Sequence, residues 1–194
     1  MGELTNYRLS DFILFSQTAY YRQFELYNHA IWPLHLVAIL FSVAIFYALW
    51  KKPAWAGRLI AVLLVMSWLW VAWAFLYQRF YQIHVVANWY AWGFILQAGL
   101  ITWYGVIKNG FDVAAGSQYR IVIGCCLLFI THIVYPFIPL LNGRSWKQFE
   151  MFALAPDPTA LATIAILLLY RSPRLLYFAP IVWVIISGVT LFVI

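Results

Sequence analysis

The sequence predicts an all-α polytopic membrane helix bundle, and three observations carry that prediction. Of 194 residues, 65% are hydrophobic and only 9% are charged, whereas soluble chains carry about a quarter charged residues. The apolar residues gather into runs separated by short basic or proline-containing breaks, and most runs are long enough to cross a hydrocarbon core about 30 Å thick. Aromatic residues make up 20% of the chain, and many of the tryptophans stand at the ends of the runs, as an interfacial belt requires. A soluble core in so short a chain cannot hide this much apolar surface, so lipid must solvate it.

The elements follow in order. Glu3 and Asp11 stand where a secretory signal would be basic, and no cleavage site follows. Leu9, Phe12, Ile13, Tyr20 and Phe24 recur at helical spacing with Asp11, Gln17, Thr18, Arg22 and Glu25 between them, which predicts an N-terminal interfacial helix over 10–24. Six transmembrane spans come next, in a single domain over 1–194. The first covers 31–50 and is closed by Lys51-Lys52-Pro53; the second covers 59–78 and is closed by Arg79; the third covers 85–107 and is closed by Lys108. The fourth, 121–141, is interrupted near its end by Pro136 and Pro139, and the fifth and sixth cover 158–170 and 175–194.

The fifth span is the unusual one. In Pro156-Asp157-Pro158 the prolines hold Asp157 away from helical dihedrals, and Pro158 suits a first helical position. The carboxylate can then accept from the free N–H groups that follow, so Asp157 reads as an N-cap. About fifteen residues later Pro173 ends the run, a length of roughly 22 Å. The helix therefore opens below the membrane surface and carries an ionisable group with it.

Lys51, Lys52, Arg58, Lys108, Arg120, Arg171 and Arg174 fall on one side of the spans against Asp112 alone. By the positive-inside rule that side is cytoplasmic. The expectation is a multi-pass protein of the bacterial inner membrane with both termini in the periplasm. The scattered basic residues carry no nucleic-acid motif. The partners expected are the lipid bilayer and a membrane protein complex or homo-oligomer.

Polar residues gather towards the outer side. Glu25, Asn28, His29 and His35 enter the first span, His84 and Asn88 the third, Thr131 and His132 the outer end of the fourth, and Asp157 opens the fifth. They predict a periplasm-facing pocket. Gln97, near the middle of the third span, must find an internal partner because lipid offers none, and Ser67 lies at a suitable depth. Glu25 and His29 are spaced to share a helix face. His35 and His132 lie at similar depth, about 6 to 8 Å, which suits a metal site or bis-imidazole haem b, or two interhelical hydrogen bonds. Cys125 and Cys126 read as two small hydrophobes. Trp68, Trp70 and Trp73 lie deeper, packing the core or walling a cavity.

The chain shows no phosphate-cradling glycine loop, no nucleophile elbow, no HExxH and no locally paired carboxylates, which argues against a hydrolase or ATPase. What remains is a protein that binds or transports a small molecule or ion. The alternative is an accessory subunit, carrying haem or a divalent metal, of a membrane redox complex.

Three stretches carry a resemblance: Phe24-Glu25-Leu26-Tyr27-Asn28 through Trp32-Pro33, Tyr135-Pro136 through Gly143, and Phe152 through Thr159. With the apolar runs, they resemble a domain-of-unknown-function family of small bacterial polytopic inner-membrane proteins. The resemblance spans nearly the whole chain and implies an inner-membrane location with six or more spans. It transfers no catalytic or ligand residues.

Overall fold

A computed structural model describes residues 16–113 and 118–193, and almost everything in them is helical. In chain order the helices are α1 (Gln17–Ala30), α2 (Leu34–Lys51), α3 (Ala56–Gln82), α4 (Ala87–Ile107), α5 (Gln118–Leu141), α6 (Pro156–Leu169) and α7 (Arg174–Val193). Five of these, α2 to α5 and α7, are long and apolar enough to cross a membrane. The sixth apolar helix, α6, has 14 residues and reaches only about 21 Å at 1.5 Å per residue. All six fall where the sequence runs place them. Leu36, Leu40, Val43, Leu96 and Ile185 are among the large apolar side chains left exposed on the outer faces, an apolar surface that fits contact with lipid and would be a liability in water.

The N-terminal helix differs from expectation. Residues 10–15 lie outside the described residues. From there Ser16 caps the helix by accepting from the Ala19 amide at 3.2 Å, and the helix continues past residue 24 to Ala30. It continues because its later residues are packed inward: Phe24, Tyr27 and Asn28 are buried, and Phe24 stacks on Phe75 of α3 with centroids 4.8 Å apart. It stops before Trp32-Pro33, where the proline disfavours helical dihedrals in the residue preceding it.

The short helix α6 is the centre of the bundle, with all five residues of Pro156 to Ala160 buried, along with Ala162, Thr163, Ala165, Ile166 and Leu167. Small side chains let its neighbours approach closely. Gly124 of α5 is one such contact: a Cβ there would lie 3.0 Å from the Ala165 carbonyl oxygen and 2.8 Å from Leu169 Cδ2. From α3, the Trp68 indole donates to Thr163 Oγ1 at 2.8 Å. At the far end, Arg120 donates to the Leu167 and Tyr170 carbonyls at 3.3 and 3.5 Å. The Ser172 hydroxyl also donates to Leu167, at 3.1 Å. These bonds satisfy carbonyls that a helix C-terminus leaves open.

Three of the long helices contain wide π turns in their second halves, at Val71–Tyr77, Thr102–Ile107 and Ile130–Val134. In the last of these the chain runs into Pro136, which has no N–H to continue the ladder. Because the helices alternate in direction, Lys51, Arg58, Lys108, Arg120 and Arg174 collect at the end of the bundle opposite α1. There Lys51 and Lys108 lie over the Trp50 and Trp103 rings, 4.0 and 5.1 Å from the centroids. A two-residue antiparallel bridge, Asp112–Val113 with Tyr170–Arg171, closes that end. The other end carries α1 and the connection 142–155.

Candidate functional site

Asn28, buried in the last turn of α1, organises the α1 end. Its Nδ2 donates to the carbonyl oxygens of Lys147 and Phe149 at 2.9 and 2.8 Å, fastening α1 to the 146–149 segment. Two carbonyls can only be met by N–H groups, so the amide orientation is fixed and Oδ1 faces away from them. There it meets His35 Nε2 at 3.4 Å. An acceptor at that position places the ring proton on Nε2, which leaves Nδ1 of the neutral imidazole as a bare acceptor. Nδ1 is buried and has no hydrogen-bond partner among the described residues.

Around this arrangement α1, the start of α2 and the 146–149 segment enclose a half-open cleft of about 790 Å³. Arg22, Glu25, Leu26, Asn28, His29, Trp32, His35, Trp146, Lys147 and Phe149 line it, and although six of these ten residues are polar or charged, most of the surface they present to the cleft is apolar. The His35 ring stacks on Trp32 and tilts against Phe149, with centroids 5.9 and 5.0 Å away. Trp32 and Trp146 are 67% and 64% exposed. Glu25 takes Arg22 as its partner at 2.8 Å rather than His29, the residue the i,i+4 spacing offered. Lys147 has no acidic partner among the described residues.

Behind the cleft lies a buried contact between Arg144 and Glu150. Gly143, at φ 68°, turns the chain back with a conformation that glycine adopts without cost. Arg144 then donates to the Gln148 carbonyl at 3.0 Å and to Glu150 Oε1 at 3.4 Å. Its guanidinium lies 3.5 Å from the centroid of the Tyr21 ring of α1. Loss of water pushes the Glu150 carboxyl up to about 8, the Asp157 charge adds to the rise, and Arg144 draws it back only in part. A contact of 3.4 Å is long for a charge-assisted bond, so it does not offset the burial.

Asp157 is not an N-cap. The cap position belongs to Ala155, whose backbone is extended at φ −116° and ψ 148°, and Pro156 rather than Pro158 fills the first helical position. The carboxylate turns away from its own helix. Its Oδ1 accepts from the Trp183 indole at 2.6 Å, and its Oδ2 accepts from Ser187 at 2.6 Å and Tyr135 at 3.1 Å. Donors on α5 and α7 thus clamp it from two sides. Local closure falls to Thr159, which accepts from the Ala153 amide at 3.1 Å and donates to the Ala155 carbonyl at 2.7 Å.

The remaining polar residues stand apart from the cleft. His132 Nδ1 meets the Leu128 carbonyl at 3.0 Å, and its ring lies between Phe46 and Phe152, at 5.2 and 4.6 Å. The ring neighbours of His35 are different ones. Among the described residues, no three His, Cys, Asp or Glu side chains gather as a metal site. Gln97 donates to the Leu176 carbonyl at 2.8 Å instead of meeting Ser67, whose hydroxyl is taken by Leu63 one turn back, at 2.7 Å. His84 sits against Phe80 and Tyr90 at 5.4 and 5.9 Å, and burial lowers its pKa. Asn88 follows, half-buried in the first turn of α4. Cys125 and Cys126 are both exposed and free.

Of the residues singled out in the sequence, the structure brings Glu25, Asn28, His29 and His35 to one cleft. Sequence reasoning missed Trp32, Trp146, Lys147 and Phe149 as their companions, and it missed Tyr135, Trp183 and Ser187 around Asp157. The available signal was the run 142–150, polar enough to read as a loop but carrying Trp146 and Phe149, two large rings that a free loop has little use for.

A bundle of five helices long and apolar enough to cross a membrane, packed around a short buried one and carrying a half-open cleft at one end, fits a polytopic protein of membrane type. Residues 17–194 match the family of unknown function DUF6064. The chain belongs to that family, and the match takes in all seven helices. No curated protein and no solved structure matches it.

Proposed function

We propose that this is a bacterial inner-membrane protein whose cleft at the α1 end opens to the periplasm and binds a small amphiphilic molecule. The supporting observation is the cleft itself. Its volume of about 790 Å³ falls in the range of small-molecule sites, roughly 300–1,000 Å³, and it shares their pattern of mostly apolar walls with a few converging polar groups. One of those groups, the His35 ring, ends in a buried acceptor with no protein donor. The periplasmic orientation rests on the basic residues at the opposite end.

Binding fits better than passage through the bundle. A transport path needs polar groups left available along the helices, and within the spans the buried atoms without a partner among the described residues, besides His35 Nδ1, are Gln97 Oε1 and His132 Nε2. Ser67, Thr131 and Thr163 instead donate to carbonyls one turn back in their own helices, at 2.7, 2.8 and 2.8 Å. Both Asp157 oxygens already hold donors.

The test is a melting-temperature screen of the detergent-solubilised protein against anionic, zwitterionic and neutral amphiphiles. At least one class should raise the melting temperature, and Trp146→Ala, which removes a largely exposed wall of the cleft, should abolish the rise while melting normally on its own. A uniform absence of shifts, or shifts that Trp146→Ala leaves unchanged, would contradict the proposal.

A further inference from the structure

The polar groups of the cleft specify what kind of head the bound amphiphile carries, an inference that rests on the binding function proposed above. We infer that the ligand is an anionic lipid whose head group bears hydroxyls, of the phosphatidylglycerol type.

Three features converge on it. The first is the donor requirement. Asn28 is held by two carbonyls, its Oδ1 fixes the proton on His35 Nε2, and Nδ1 is left as a buried acceptor without a partner. A group that completes this site must donate, and an O–H does so. The second is charge. Arg22 and Glu25 neutralise each other at 2.8 Å, which leaves Lys147 as the uncompensated charge of the lining and favours a net anion. The third is the wall. Trp32 and Trp146 are exposed in the manner of rings that sit at head-group level, and Leu26 and Phe149 extend the apolar surface that an acyl chain would cover.

These features also exclude neighbouring chemistries. A choline head carries no N–H or O–H donor. An ionised fatty acid offers acceptors only. An ethanolamine head can donate, but its ammonium adds a positive charge beside Lys147. Free glycerol phosphate shares the head chemistry and lacks the chains for the aromatic walls. Phosphatidylglycerol combines the hydroxyls, the net negative charge and the chains.

The full chain in nanodiscs containing equal phosphatidylglycerol, phosphatidylethanolamine and phosphatidylcholine provides the test, with retained lipid identified by native mass spectrometry. Phosphatidylglycerol should be retained over phosphatidylcholine by about tenfold, the scale of one hydrogen bond to a charged or buried partner. His35→Phe keeps a ring between Trp32 and Phe149 and removes Nδ1, so that preference should fall severalfold, to what the Lys147 charge alone sustains. Lys147→Gln, at an exposed position where the fold has little at stake, should raise phosphatidylethanolamine relative to phosphatidylglycerol. Equal retention of phosphatidylglycerol and phosphatidylcholine by the parent, or an undiminished preference in either variant, overturns the head-group assignment and leaves amphiphile binding standing. Release of the retained lipid by millimolar glycerol 1-phosphate overturns the lipid source in favour of the free head-group compound. A chain that retains no lipid and no other amphiphile overturns both readings.

Discussion

Asp157 shows how differently a single residue reads in sequence and in space. Between two prolines its carboxylate has an obvious local use as a cap, and the sequence holds no sign of Trp183 and Ser187, which lie 26 and 30 positions away. The clamp makes a sharp prediction. Asp157→Ala strands an indole N–H and two hydroxyls in the bundle, and each unmet buried group costs about 1–3 kcal/mol, so the protein should lose about 3 kcal/mol or more. Asp157→Asn keeps Oδ1 for Trp183 and gives Ser187 an N–H to accept, so its loss should be about 1 kcal/mol. Melting in detergent separates the two, and equal melting of both variants would refute the clamp. Glu150 adds a pH dependence. Its carboxyl is raised from 4.5 to about 8, so between those values the folded protein keeps a proton that the unfolded chain has already lost. Stability is therefore fully present below about 4.5 and declines as pH rises through about 8. Glu150→Gln should flatten that decline and melt higher than the parent at pH 9; a parental pH profile in the variant would show that another group carries the effect.

The elements were more legible than the contacts between them. Hydropathy located the six apolar helices to within a few residues because a membrane span is defined by length and by the charges that end it, both local properties. What α1 packs against was not legible. Its inward face depends on Tyr27, whose hydroxyl receives the Trp70 indole proton at 2.8 Å and donates to the Leu154 carbonyl at 2.9 Å, three segments that no periodicity connects. Tyr27→Phe should break this chain and cost about 2 kcal/mol, from an indole and a carbonyl left without partners, and it should loosen α1 so that proteolysis near residue 30 accelerates. Unchanged melting and cleavage would mean that α1 is held by apolar packing alone. The α5–α6 contact depends on Gly124 in a similar way. Gly124→Val should cost about 1–3 kcal/mol by forcing side-chain atoms against Ala165 and Leu169, whereas an apolar span read from sequence predicts no penalty for an apolar replacement.

At the scale of the molecule, the clustering of polar residues towards one end of the spans was legible, but their division into a cleft, a buried Arg144–Glu150 contact and a clamp was not. Helices that are apolar on nearly every side leave their rotation unspecified, so depth could be read and facing could not. His35 and His132 share a depth in the sequence and have different ring neighbours in the bundle. Orientation is open to a direct check. With Cys125 and Cys126 replaced by Ala, single cysteines at Lys51 and Asn142 should react with an impermeant thiol reagent from opposite faces, Asn142→Cys from the periplasm; labelling of both from one face would break the alternating arrangement of spans. The cleft as an amphiphile site is tested most directly by extracting the protein from its own membrane and weighing it intact. Under gentle release in native mass spectrometry, the parent should carry one amphiphile per chain and a normally melting Trp146→Ala variant none. A bare chain in both, or the same adduct in both, would contradict it.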